Sequence, residues 1–495
     1  MADRRARRAS HKSLILLTPS LLLITASACG ADGELPVQSA QAARPAFSSV
    51  LLRNVPHVRQ KPDFCGEACV EMATSRLGKR VSQDQVFALT GLSPALGRGA
   101  YTRELVLALR RLGFDPGTVW YAARPRHAAA DLGKQFAALH HDLRRGVPSI
   151  VCTHFDTSPN TTEHFRLVIG YDAKRDEIIY HDPALQRGAY KRMSRRMLYR
   201  LWPLKYKRDQ WTVIRLPLRV RKLAAPRRDA AMGGRFSAAD YAQHVMKLKQ
   251  RLPRGFHVVI ERPFVVVGNE SRARVAARAR STVRWATQRL KREYFSRDPQ
   301  HILTVWLFKD RATYRYYNKK LFGELPGTPY GFYSSTHRAL VMNIATGGGT
   351  LVHEIVHPFI EANFPNAPPW LNEGLGSLYE QSASRNGRIV GLTNWRLAGL
   401  QSAIRKGSVP SFRYLTSRST NQFYNQDPGT NYSQSRYLMY YLQQSGKLRT
   451  FYHAFHKAQR SDPSGYKTLQ RVLGGGNMVK FKKAWERWVL TLRYP

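Results

Sequence analysis

The stretch LVHEIVHP, Leu351–Pro358, sets His353 and His357 four residues apart. On a helix that spacing turns both imidazoles to one side, where they can share a metal ion. Glu354, between them, is placed to act as general base on a metal-bound water. Leu351, Val352, Ile355, Val356, Phe359 and Ile360 form an apolar stripe on the opposite face. The glycine run ATGGGT leads into this helix, and PPWLNEGLGSLYE follows as a second helix offering Glu373 as third ligand. Two histidines and one carboxylate leave a fourth position to water, the arrangement of a catalytic rather than a structural zinc site, so Zn2+ is the expected cofactor. Glu361, one turn further on, is the competing ligand. Pro358 cannot donate to the carbonyl of Glu354 and crowds it. A kink is therefore expected just past His357, with the helix resuming to about Asn363. Such a bend re-aims the turn carrying Glu361 and favours Glu373.

A different chemistry is written upstream in QKPDFCGEACVEMATSRLG. Cys65, Cys69, Met72 and Leu77 recur at helical spacing, which puts Cys65 at or just before a helix N-terminus. Free backbone N–H groups and the helix dipole there lower a thiol's pKa and favour the nucleophilic thiolate. A thiolate needs a histidine partner. His164 opens the strand-like HFRLVIG, the turn residues DAKRD follow, and EIIYHDP returns, a hairpin centred near residues 173–174. His164 and Asp182 then share its open end and one face, so Asp182 can orient the imidazole. Gln60, five residues before Cys65, can donate to an oxyanion. The chain has four cysteines, Cys29, Cys65, Cys69 and Cys152. That excludes a disulfide scaffold and leaves open one Cys69–Cys152 bridge.

These residues require elements to carry them, and the sequence reads as two units. Residues 49–220 mix helices and strands. Residues 221–236, RKLAAPRRDAAMGG and its flank, are charged, Ala/Gly-rich and aperiodic, and read as a linker. A helix opens at Ser237 with the capping-box-like SAAD. From there to residue 495 the pattern gives two strands (FHVVIE, PFVVVG), a long helix over 271–294, a strand (ILTVWLF) and then mostly helix. The long helix keeps Val275, Ala279, Val283, Ala286 and Leu290 on one stripe, with arginines on its other faces. The expected class is α+β in two domains, the second with a helical C-terminal part.

Of 495 residues, 79 are Lys or Arg and 33 Asp or Glu, a formal net charge of +46. Such a surface adheres to polyanions. The basic residues are spread over the whole chain with no zinc finger or RNA-binding signature, so no specific nucleic-acid partner is expected. An anionic envelope polymer or membrane surface is the candidate partner. At the N-terminus, Arg4, Arg5, Arg7, Arg8 and Lys12 precede the apolar Leu14–Ile24 and the small residues Ala26, Ser27 and Ala28. Residues 1–29 are thus expected to be a secretory signal, and residues 30–48 a flexible tether. Cys29 sits where a lipid-bearing cysteine would, although Ala26 stands where leucine is usual. The protein is expected outside the cytoplasm, either lipid-anchored to the envelope through Cys29 or secreted.

VPHVRQKPDFCGEAC, EHFRLVIGYD and IIYHDPA together resemble the papain-like C39 and C39-like cysteine peptidases. The resemblance implies a papain-like domain with Cys65 as nucleophile, His164 as base, Asp182 as orienter and Gln60 in the oxyanion hole. The family often spaces its Gln and Cys by six residues, against five here. C39 domains proper are fused to ATP-driven exporters and cut double-glycine leaders. No span and no P-loop are found here, so that substrate does not carry over. GGGTLVHEIVHPFIEANFPNAPPWLNEGLGSLYE resembles the gluzincin metallopeptidases of the MA clan, whose bacterial families read HExxH and then W-x-x-E-G-x-A. This second resemblance implies a zincin-like domain with zinc on His353, His357 and Glu373 and Glu354 as base. It also implies an oxyanion-steadying residue, for which Tyr432 is the candidate, in competition with Tyr437 and Tyr440. The gap from His357 to Glu373 is shorter than in thermolysin-like enzymes.

The expectation is an exported two-headed peptidase acting on a protein or peptide substrate. Two other readings stay open. The C39-like domain would only bind peptide or envelope polymer while the zinc head works, or both heads would be inactive in an envelope scaffold or adhesin.

Overall fold

In a computed structural model, residues 47–207, 210–223 and 234–494 are described. The expected signal segment with Cys29, almost all of the tether, and residues 224–233 of the linker lie outside them.

The first unit is built on an eight-stranded antiparallel sheet. Its main path runs Trp120–Ala123, Gln210–Pro217, Ser149–His154, Glu163–Asp172, Glu177–His181, Lys191–Ser194. The strand Glu163–Asp172 is central and buried along nearly its whole length, which is why it reads as a continuous apolar run rather than an alternating one. The helix Cys65–Arg76 packs on it. Gly66 makes that approach feasible: a Cβ there would lie 2.9 Å from Leu105 and 3.2 Å from Phe165 of the strand. In the hairpin that carries the histidine, Leu167 faces His181 and Val168 faces Tyr180. A bulge between Val168 and Gly170 then shifts the register, so Asp172 faces Glu177. The turn is thus centred between Lys174 and Arg175, slightly later than the sequence suggests, because the bulged strand spends one extra residue.

The second unit has a five-stranded mixed sheet in the order Gly331–Ser334, Ala339–Asn343, Leu303–Phe308, Phe264–Gly268, His257–Glu261. Its three inner strands are parallel. Val265, Val267, Trp306, Phe308 and Val341 face the helix Ala238–Lys249, through Tyr241, Val245 and Leu248. Phe264, Val266, Val305, Leu307, Leu340 and Met342 face the other way, toward the helix Gly349–Asn363. That alternation is the two-residue period of a strand covered on both sides. The helix expected over 271–294 is three joined pieces: Arg272–Arg278, a π-helical turn Ala279–Arg284, and Trp285–Glu293. All five stripe residues are buried. The wider π turn accommodates the successive four-residue spacings from Val275 to Val283, which a 3.6-residue repeat would rotate off the core. Two hairpins, Gly331–Ser334 with Ala339–Asn343 and Ser382–Arg385 with Arg388–Gly391, interrupt what the sequence suggests is mostly helix. Helices fill most of the rest to Thr491. Among the described residues no helix is long and apolar enough to cross a membrane.

Ser237 caps the helix Ala238–Lys249 in a reciprocal box with Asp240. This helix also touches the first unit. Ala239 and Ala242 pack with Phe64 and Phe87, Gln243 Nε2 donates to the carbonyl of Pro62 (2.9 Å), and Lys249 Nζ donates to that of Leu96.

Candidate active sites

Cys65 is the first residue of its helix, behind Phe64 at the cap. His164 and Asp182 meet at the open end of the hairpin: Nε2 of His164 lies 2.7 Å from Oδ1 of Asp182, both buried. The other imidazole nitrogen, Nδ1, is left for a proton from elsewhere. Cys65 lies against the backbone of Phe165, the strand neighbour of His164. The segment before it is stitched to the Asp182 end of the hairpin. His181 Nε2 pairs with the carbonyl of Val55 (2.9 Å), His57 Nε2 with that of Asp182 (2.9 Å), and the N–H of Gln60 donates to that of Pro183 (2.9 Å). Gln60 is thereby held beside Asp182, with its Oε1 buried and unpartnered among the described residues.

The charge states differ from the thiolate suggested by the helix terminus. Burial pushes the Cys65 thiol up to about 12, outweighing hydrogen bonds from the backbone of Phe165 and Gly66. Burial also lowers the pKa of His164, only partly offset by Asp182. The pair therefore rests as neutral thiol and neutral imidazole, because desolvation disfavours either charged form. Asp182 stays ionised: burial raises its pKa, but the His164 hydrogen bond and Arg166 outweigh that. Cys65, Cys69 and Cys152 are all free thiols. The Cys69–Cys152 bridge is absent, as Cys69 Sγ turns to the carbonyl of Phe165 and Cys152 Sγ to Glu163.

In the second unit, ligand atoms of His353, His357 and Glu373 all lie within 4.8 Å of one another. The helix Gly349–Asn363 runs through Pro358 without interruption and ends at Asn363. Pro358 follows both histidines, so the turn that presents them is unaffected by its missing N–H. Each histidine is oriented from its far nitrogen: His353 Nδ1 faces Glu380 Oε1 (3.1 Å), and His357 Nδ1 faces Asn372 Oδ1 (3.0 Å). Donation at Nδ1 leaves both Nε2 lone pairs for a metal, the usual arrangement of outer partners around ligating histidines. The donor set thus fits a zinc ion. His353 Nε2 lies 3.1 Å from Glu373 Oε2. Glu354 accepts the N–H of Tyr333 (2.9 Å), and its Oε2 is 3.6 Å from His357 Nε2. Burial raises the pKa of Glu354 against the two histidines, which suits a proton acceptor. Glu361 is exposed, bonded to the Tyr333 hydroxyl, and outside the cluster.

The cluster opens on a cleft of about 960 Å³ walled in part by Trp395, Tyr424 and Tyr432. Tyr437 is buried against Asn394, and Tyr440 packs on Trp488, so of the three tyrosines weighed only Tyr432 reaches the cleft. Sequence reasoning missed Tyr424, whose hydroxyl donates to Glu373 Oε1 at 2.6 Å, and Glu380, clamped by Arg396 at 2.8 and 3.1 Å and by Asn394 at 3.0 Å. Glu380 lies in the turn just past the end of the helix Pro369–Leu378 that carries Glu373, and a second acid seven residues after Glu373 was its signal. Arg166 was missed as well. It is buried, donates to Asp182 Oδ2 (3.0 Å), and also bonds Thr153, His154 and Phe155. A lone arginine inside HFRLVIG was its signal.

Residues 52–208 match the model of the Peptidase_C39 like family. Among solved structures, the chain is similar to the peptidase domain of Streptococcus ComA, described as a bi-functional ABC transporter involved in a quorum sensing pathway. Identity is 17%, the match covers 33% of this chain and 99% of that one, and the TM-score is 0.23. No curated protein matches the chain. The first unit is, by its family match, a C39-like peptidase domain.

Proposed function

We propose that the protein is an exported peptidase with two hydrolytic sites, a C39-like cysteine site and a separate, zincin-like zinc site. The observation carrying this reading is the convergence of His353, His357 and Glu373 within 4.8 Å, beside Glu354 and at the floor of a cleft. A zinc ion held by these three residues would act as a Lewis acid and lower the pKa of its water. Glu354 takes the proton of the attacking water and returns it to the leaving amine. Tyr432, on the cleft wall, donates to the developing oxyanion, while Tyr424 donates to Glu373. Glu380 and Asn372 hold the histidine tautomers.

At the cysteine site, Nδ1 of His164 takes the Cys65 proton as sulfur attacks the carbonyl, so charge separates only during reaction. Asp182 stabilises the resulting imidazolium, and Gln60 faces the oxyanion. His164 then protonates the amine, and water cleaves the thioester. Export, by way of the basic and apolar segment of residues 1–29, gives the +46 charge an anionic envelope to act on. A second reading has one observation in its favour: burial pushes the Cys65 thiol up to about 12, which suits a unit that binds peptide without cutting it.

The test compares bound zinc and cleavage of a denatured-protein or peptide library by wild type, Cys65→Ala and Glu354→Gln. Two sites require that each variant lose a different subset of cleavages, with Glu354→Gln retaining zinc. Loss confined to Glu354→Gln assigns the cysteine unit to binding, and purified protein without zinc removes the metal site.

A further inference from the structure

On the sheet face opposite the metal cluster, the helix Ala238–Lys249 and the turn before the strand Ala339–Asn343 line an open pocket of about 420 Å³, at whose rim Lys247, Arg251, His301 and Arg338 are exposed. This is within the size range of small-ligand sites. We propose that it binds a phosphate group, held by Lys247, Arg251 and Arg338 with His244, His301 and His337 around it.

Four observations converge on this pocket. First, three elements supply its cations: Lys247 and Arg251 from the end of the helix, His301 ahead of the strand Leu303–Phe308, and His337 and Arg338 from the turn. Second, among the described residues none of these cations has an ion pair. Asp240, the acidic residue in the lining, is spent on its helix cap, where both the N–H and the hydroxyl of Ser237 donate to its Oδ2 (2.8 Å each). Third, Arg338 holds φ +50°, a left-handed conformation that glycine or asparagine takes more readily. That conformation closes the four-residue turn between the paired Ser334 and Ala339, which carries His337 and Arg338 to the pocket. Fourth, His244, bonded to Thr304 Oγ1 (2.9 Å), reports the local field. Burial and then the charges of Arg251 and Lys247 press its pKa down to about 4, so the positive potential stands uncompensated. A phosphate oxyanion supplies the missing charge and several acceptors for the guanidinium forks. Phe236, Leu248 and Ile302 form an apolar wall that leaves room for an organic ester. The phosphate can thus be free or part of a lipid headgroup.

The whole chain is titrated with inorganic phosphate and glycerol phosphate by calorimetry, and with phosphatidylglycerol vesicles by sedimentation, at physiological salt. Arg251→Gln/Arg338→Gln is compared with Arg311→Gln/Arg315→Gln, which removes equal charge from the exposed face of a neighbouring helix. The pocket pair should weaken one of these ligands at least 10-fold while the surface pair leaves it within 2-fold, and the ligand affected identifies the source. In wild type, the His244 imidazole should titrate at higher pH when that ligand is bound. Equal losses in the two double variants, or no binding of either kind, overturn the proposal. A melting curve matching wild type in the pocket variant excludes misfolding as the cause of its loss.

Discussion

His353 takes its geometry from Glu380, and Glu380 from Arg396 and Asn394. Glu380→Gln should keep the fold but lose the charged acceptor at Nδ1, and outer-partner losses of this kind lower metal affinity about 10–100-fold. Zinc competition against a chelating dye measures this, and unchanged affinity would refute the role. Glu67 poses a different question. It is fully buried in the first turn of the cysteine helix, and one oxygen accepts the N–H of Ala100 (2.8 Å). Its other oxygen is buried without a partner among the described residues. Burial pushes its carboxyl up to about 8. The folded state therefore holds the proton more tightly than the unfolded state. This contribution to stability is complete below the unfolded value near 4.5, declines as pH rises, and is gone above about 8. Relative to Glu67→Gln, wild type should lose on the order of a few kcal/mol of stability across that window. Denaturant melts at a series of pH values decide it, since parallel curves would show an unperturbed carboxyl. At this scale the HExxH spacing was legible because both histidines lie on one local turn. Tyr424 and Arg166 were not, because their partners Glu373 and Asp182 come from other elements.

Both sites depend on glycines where two elements touch. The W-x-x-E-G-x-A pattern of the resembled families has Gly376 in its last place here, and the fold shows how tightly alanine would fit. A Cβ at Gly376 would lie 3.0 Å from two ring atoms of His353. Gly376→Ala should therefore push the ligand histidine aside and weaken zinc binding at least as much as Glu380→Gln does. Its thermal stability should fall by about 1–3 kcal/mol, as overpacking does elsewhere. Calorimetry with zinc titration checks both, and a variant that binds zinc normally would mean that the helix Pro369–Leu378 shifts at no cost. Gly349, in the glycine run, has the same logic, since a Cβ there would meet the carbonyl of Glu380 at 2.1 Å. Glycine runs are visible in sequence, but not which neighbour they admit. The hairpin ahead of the metal helix, with strands of four and five residues, is not legible in the sequence. It nevertheless supplies the Tyr333 N–H that holds Glu354.

Across the molecule, the two units keep separate cores but meet along the helix Ala238–Lys249, which packs on Phe64 next to Cys65 and carries the basic pocket on another side. The surplus of Lys and Arg surrounds both. If that surplus serves adhesion to an anionic envelope, binding to anionic vesicles should fall steeply between about 0.01 and 0.15 M salt, as the Debye length shortens from about 30 to about 8 Å. Flotation assays over that range measure it, and salt-independent binding would dismiss an electrostatic role. By itself the sequence determined what is local: the i, i+4 histidines and their apolar stripe, the cysteine heading a helix, the hairpin joining His164 to Asp182, the cap at Ser237, and the charge. Only the tertiary structure decided which protonation states these groups hold, which tyrosine faces Glu373, and which acid orients His353. It also decided that the three cysteines of the first unit stay unbridged. The reason is physical: spacing along one element sets direction, whereas desolvation and side-chain partnership depend on surfaces brought together from distant parts of the chain.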